Sequence, residues 1–172
     1  MFNLKALALS TLTILSTLAP AEAAFTHKGI RFLEASDFGG QHSVIMETLT
    51  DLEVPVIDGR NTKLCQPGVA GWYTPVENFM VICDGSYAYR AETLTHEAVH
   101  VAQDCRTGLQ SNSLGGITHR PHFEKLAGGL HQSKVDLIVD NYAKEDWVTE
   151  TEAFYFETRP SDASWLVADA CF

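Results

Sequence analysis

Arg90-Ala91-Glu92-Thr93-Leu94-Thr95-His96-Glu97-Ala98-Val99-His100-Val101-Ala102-Gln103-Asp104-Cys105 is the stretch around which the rest of the chain is organised. Leu94, Ala98, Val101 and Ala102 recur at helical spacing and give one face an apolar surface to pack. The pattern predicts a helix from about Arg90 to Cys105 that stops before Gly108. Inside it, His96-Glu97-Ala98-Val99-His100 is an HExxH sequence. Residues four apart on a helix lie one turn up the same face, so both imidazoles can reach a single metal ion. Glu97, beside the first of them, is placed to take a proton from a metal-bound water. One zinc ion suits this chemistry, because zinc lowers the pKa of its water to about 7 and polarises a carbonyl under attack. Chance is a poor explanation: seven His and 12 Glu in 172 residues yield roughly 0.02 such matches.

Working outward, the segment before this helix reads as a small sheet. Trp72-Tyr73 and Phe79-Met80-Val81-Ile82 are strand-like and separated by a polar stretch, and Asp84-Gly85-Ser86 ends the sheet and can cap the helix. Val54 to Ile57 is β-branched but interrupted by Pro55, which predicts an edge strand. Gln41 to Leu52 has helical spacing through Val44, Ile45, Leu49 and Leu52. After the central helix, Gly108 to Gly116 reads as an exposed loop. Val135 to Val139, Asp146 to Thr158 and Ser164 to Ala170 read as further helices, with Phe154-Tyr155-Phe156 and Trp165 assigned to the core. Strands first and helices after predict an α+β domain: a short, mainly antiparallel sheet, then the HExxH helix, then C-terminal helices.

A catalytic zinc usually has three protein ligands and one open position. Arg106 stands six residues beyond His100, so no third histidine follows at that spacing. His119, His122 and His131 lie further on, the first two in a proline-broken, loop-like stretch where metal geometry is hard to hold. The better source is Trp147-Val148-Thr149-Glu150-Thr151-Glu152-Ala153-Phe154-Tyr155-Phe156-Glu157, since acidic residues on an apolar helix are costly to bury unless paired or bound to metal. Glu150 shares a face with Trp147, Ala153, Phe154 and Glu157, whereas Glu152 points about 200° away, so only one can reach the ion. Near the helix end, Asp104 could accept the free N–H of His100 or stand in solvent, and Gln103 reads as a packing or hydrogen-bonding residue. Tyr142, Tyr155 and His131 could each polarise a carbonyl, and spacing distinguishes none of them.

HExxH on one helix followed by a Glu on a later one resembles the gluzincin branch of zinc metallopeptidases. Thr95 to Gln103 with a downstream Glu-x-Glu-Ala is similar to small bacterial zincin-like domains. The resemblance covers roughly Tyr87 to Gln103 and Trp147 to Glu157. It implies a zincin-like fold, hydrolysis of peptide bonds, and a zinc held by His96, His100 and the first Glu of a Glu-x-x-Ala pattern, which is Glu150. In relatives whose ligand directly precedes a small residue, the match would be Glu152. Glu97 would act as general base and then as proton donor to the leaving amine. The substrate would be a peptide or protein, with the Phe79 to Ile82 strand as an edge along which it aligns.

The remaining composition bounds the setting. At 172 residues with 45% apolar content, one compact domain is expected, and 12 basic against 22 acidic residues give a net charge of −10. Such a surface repels phosphate backbones and anionic lipid, which argues against nucleic-acid partners and membrane association. Lys5, the apolar run Ala6 to Leu18, Pro20 and Ala21-Glu22-Ala23 together read as a signal peptide over 1–23, leaving a single domain over 24–172 for a secreted or periplasmic protein. Cys65, Cys83, Cys105 and Cys171 then suggest two disulfides; the preferred pairing is Cys65–Cys83 and Cys105–Cys171. A second class of function fits the same features: a disulfide-stapled secreted binding protein that keeps zinc without turnover and engages its partner through Gly108 to His131.

Overall fold

Phe79-Met80-Val81-Ile82 offers no polar residue to either side, and in the computed structural model it forms a strand, β4 (Phe79–Ile82), buried along its whole length. The structure describes residues 30–83, 85–108, 114–118 and 120–172. The leader assigned to 1–23, the middle of the expected loop and His119 lie outside the described residues.

β4 pairs antiparallel with β3 (Gly71–Thr74) and parallel with β2 (Val56–Asp58), which in turn pairs antiparallel with β1 (Arg31–Phe32). The order is β1-β2-β4-β3. Two expectations are corrected here. The Val54 to Ile57 segment is not an edge: its strand begins at Val56 and lies inside the sheet. Pro55 just precedes it, so the missing N–H stays out of the ladder while the Pro55 carbonyl accepts from Met80 N–H at 3.0 Å. Nor is Phe79 to Ile82 an edge, because β3 covers it; the free edge on that side is β3.

Alternation along β4 explains why it is apolar throughout. Met80 and Ile82, with Val56, face the main core, packed by α1 (Gln41–Asp51), α2 (Tyr87–Thr107) and the C-terminal helix. Phe79 and Val81, with Ile57, face a smaller cluster closed by Trp72, Leu64 and the Cys65–Cys83 disulfide. The layout is α+β, with the sheet followed by α3 (Arg120–Gly128), α4 (Gln132–Asn141), α5 (Trp147–Phe156) and α6 (Pro160–Cys171) after α2.

α2 is longer than its apolar pattern predicts. Ser86 caps it by accepting from Tyr89 N–H at 3.4 Å, and Gly108, at φ 106°, closes it by donating to the Asp104 and Cys105 carbonyls. The His119-Arg120-Pro121-His122 stretch, read as a loop, starts α3 at Arg120. Proline suits the first turn of a helix, where its N–H has no partner to lose. Trp165, assigned to the core, is 77% exposed on α6, whose buried side is Ala163 and Val167.

Both disulfides pair as expected. Cys105–Cys171 ties the end of α2 to the end of α6 across a sequence separation of 66. Closing a loop of that length constrains the unfolded chain by about 4 kcal/mol. The C105S/C171S variant should therefore lose stability of that order in urea denaturation, and an unchanged midpoint would show that the crosslink restrains little.

Candidate metal centre

Four residues apart on α2, the His96 and His100 rings stack edge to face with centroids 5.0 Å apart. α5 runs beside α2 and brings in Glu150. His96 Nε2 lies 3.4 Å from Glu150 Oε2, and His100 Nε2 lies 3.4 Å from Glu150 Oε1. One potential ligand atom from each of the three residues falls within 4.8 Å of the others, and all three residues are buried. Two ligands bound tetrahedrally to one zinc at about 2.0–2.1 Å would stand about 3.4 Å apart, so both separations suit that ion. Glu150 Oε2 is buried, and at 3.4 Å from His96 Nε2 it makes an ion-pair approach rather than a hydrogen bond. A buried carboxylate that faces two imidazole nitrogens, one of its oxygens unpartnered, is a condition that a cation relieves.

The surrounding charges favour a cation. Burial acts to lower the His96 pKa, but the carboxylates of Glu150, Glu157 and Glu97 outweigh it and hold the ring up at about 10. Burial likewise would raise Glu150 and Glu157, yet His96 helps to pull both below the usual carboxylate range, with His100 and Tyr142 assisting at Glu150 and Lys134 at Glu157. Burial pushes Glu97 up, against the pull of His96 and His100. A proton on His96 meets the same carboxylates that a bound cation would meet. Its stabilising contribution is complete below about pH 6.5, the ordinary imidazole value, and is lost as pH rises through about 10. A metal ion bound at His96 would displace that proton, so if zinc is taken up at pH 7 it should release protons, and its affinity should weaken as pH is lowered. Proton release in weakly buffered solution checks this; uptake without release would contradict it.

No family model matches the chain, and no curated protein or solved structure matches it.

A cleft of about 790 Å³ opens onto it. His96 and Glu97 line the cleft from α2, the segment 67–71 forms one side, α4 another, and Tyr142, Phe154 and Glu157 complete it. Glu97 is 5% exposed and lies beside β3, where the Tyr73 backbone acts to hold its carboxyl down against the rise from burial. That approach depends on Gly71: a Cβ there would stand 2.5 Å from Thr93 Cγ2 and 2.8 Å from the Val81 carbonyl.

Of the three potential carbonyl polarisers, only Tyr142 lies in the cleft. Burial, followed by the Glu150 and Glu97 carboxylates, holds its hydroxyl protonated well above the usual range. Tyr155 lies beneath the Arg159 guanidinium, and His131 is an exposed cap on α4, where it accepts from Ser133 N–H. His122 is exposed on α3 and joins no ligand group among the described residues.

Glu152 is completely buried on the opposite side of α5, where it accepts from Gln103 and from the backbone of Ile117 and Thr118. Asp104 does not hold His100. It accepts from the Tyr73 hydroxyl at 2.9 Å, on the β3 side of α2, while Gln103 Oε1 meets His100 Nδ1 at 2.7 Å. Two neighbours of the centre had not been assigned a role from sequence. Glu157 Oε2 lies 3.8 Å from His96 Nδ1, and Lys134 Nζ meets Glu157 Oε1 at 2.8 Å while sitting over the Phe154 ring. The signal for Glu157 was its place seven residues after Glu150, on the same helix face. Nothing local marked Lys134, which α4 brings in from outside both motifs.

Proposed function

We propose that this chain is an exported zinc hydrolase that cleaves peptide bonds, in the manner of the gluzincins that its motif resembles. The observation that carries the reading is the meeting of His96, His100 and the orphaned carboxylate of Glu150 beside a cleft that also holds Glu97. Two disulfides fit an extracellular protein, and no helix among the described residues is long and apolar enough to cross a membrane.

His96, His100 and Glu150 would hold the ion. A zinc ion held there would supply Lewis acidity and a bound water acidic enough to lose a proton near neutral pH. Glu97 would take that proton and return it to the leaving amine, and burial, which raises its carboxyl above the usual range, suits both transfers. Tyr142, still protonated, donates to the oxygen on which charge develops. An extended peptide runs along the edge strand β3, whose Gly71 lines the cleft, rather than along β4.

The test is elemental analysis of protein purified in metal-replete medium, followed by digestion of a peptide library. One equivalent of zinc with cleavage supports the reading. Zinc without cleavage favours the binding-protein alternative, and protein free of zinc removes both.

A further inference from the structure

We propose that Gln103 and Glu152 form a positioning relay that decides which nitrogen of His100 is free to bind the metal. The inference rests on the metal-site part of the reading above and is independent of peptide hydrolysis.

The Gln103 side chain is completely buried. Its Nε2 lies 2.9 Å from the Thr149 carbonyl and 3.0 Å from Glu152 Oε2, and its Oε1 lies 2.7 Å from His100 Nδ1. A carbonyl oxygen can only accept, so the amide nitrogen must face Thr149. Turning the amide over would set its oxygen against two other oxygens. Oε1 therefore accepts from His100, and Nδ1 carries the hydrogen. In the neutral imidazole that a metal requires, the lone pair is then on Nε2, the nitrogen that lies 3.4 Å from Glu150 Oε1. The direction of every hydrogen in the chain follows from one backbone carbonyl.

Glu152 secures the other end. Its carboxylate accepts from Ile117 N–H at 2.9 Å, Thr118 N–H at 2.8 Å and the Thr118 hydroxyl at 2.6 Å, as well as from Gln103. These groups are donors, so the carboxylate keeps an accepting oxygen towards Gln103 and helps hold its amide in register. The segment between α2 and α3 is thus wired to a ligand that it does not touch. Among the described residues His96 has no equivalent support: its Nδ1 faces Glu157 at 3.8 Å, beyond hydrogen-bond reach.

Outer partners of metal-binding histidines are worth about 10–100-fold in affinity. Zinc affinity, measured by chelator competition, should therefore fall by about that factor in Q103L. E152Q should lose about ten-fold although position 152 touches no ligand, because its new amide group would confront that of Gln103. Q103E sets two carboxylates against each other and should also weaken binding. The Q103E/E152Q double variant restores a donor–acceptor pair and should bind zinc more tightly than Q103E alone. In the zinc-loaded wild-type protein, NMR of ¹⁵N-labelled histidine should show a slowly exchanging proton on His100 Nδ1, a readout that needs no variant. Variants that melt earlier yet keep wild-type zinc affinity, a double variant no tighter than Q103E, or a His100 coordinated through Nδ1 would each overturn the relay. Wild-type protein that takes up no zinc would overturn the metal site itself.

Discussion

Glu97→Gln should bind one equivalent of zinc as firmly as the wild-type chain and cleave peptides about 10²–10⁴-fold more slowly, the usual worth of a positioned general base. The amide is nearly isosteric, so the packing around a residue that is 5% exposed is kept. What is removed is the capacity to take a proton from water and return it to the amine. Substitution should also relieve the burial of an ionisable group that desolvation opposes, so the variant should melt no earlier than the wild type. The measurements are kcat/KM on a fluorogenic peptide selected from the library, zinc content and a thermal melt. Turnover within a few-fold of wild type, with zinc in place, would take Glu97 out of its role.

Glu150→Gln should lose the metal. The substitution leaves one weakly ligating amide oxygen where a carboxylate met both imidazoles, each across 3.4 Å. Since outer partners alone are worth about 10–100-fold, loss of a ligand should exceed about 100-fold in zinc affinity. The clearest readout is stability with and without metal. At a zinc concentration about 1,000 times the dissociation constant, binding stabilises the native state by about 4 kcal/mol. Wild-type protein should therefore melt higher with zinc than without, and E150Q should melt at the same temperature in both. Glu152→Gln separates the two acidic residues of α5. It should retain a zinc-dependent melting shift where E150Q has none, because Glu152 faces Gln103 and the 117–118 backbone rather than the imidazoles. A zinc-dependent shift that survives E150Q would place the third ligand elsewhere.

The helix carrying His96 and His100 was legible because its signal is local: apolar residues at helical intervals, a serine before it and a glycine after it. Residues four apart must share a face, so the convergence of the two imidazoles needed no knowledge of the fold. The strands of the β3–β4 hairpin were read for similar reasons, from short apolar or aromatic runs around a polar turn. The disulfide pairing was also anticipated, one bridge spanning the hairpin region and the other joining the end of α2 to the C-terminus. The start of α3 was missed because Pro121 reads as a breaker until the start of the helix is known. The interior position of β2 was missed because its parallel partner, β4, lies beyond an intervening strand.

Residue chemistry and helical period were sufficient for the motif helix, its two imidazoles and a nearby acid on a later helix. They left open which acid that would be, and which of Gln103 and Asp104 would support His100. Each choice depends on a rotation: about 200° around α5 between Glu150 and Glu152, and about 100° around α2 between Gln103 and Asp104. A helix's own sequence sets those angles but not the direction from which its neighbours approach. Packing settles that. With α5 against one side of α2 and β3 against another, Gln103 meets Glu152 and His100 while Asp104 meets Tyr73. The same rotation of α5 turns Glu150 towards the histidines and places Glu152 against the segment before α3.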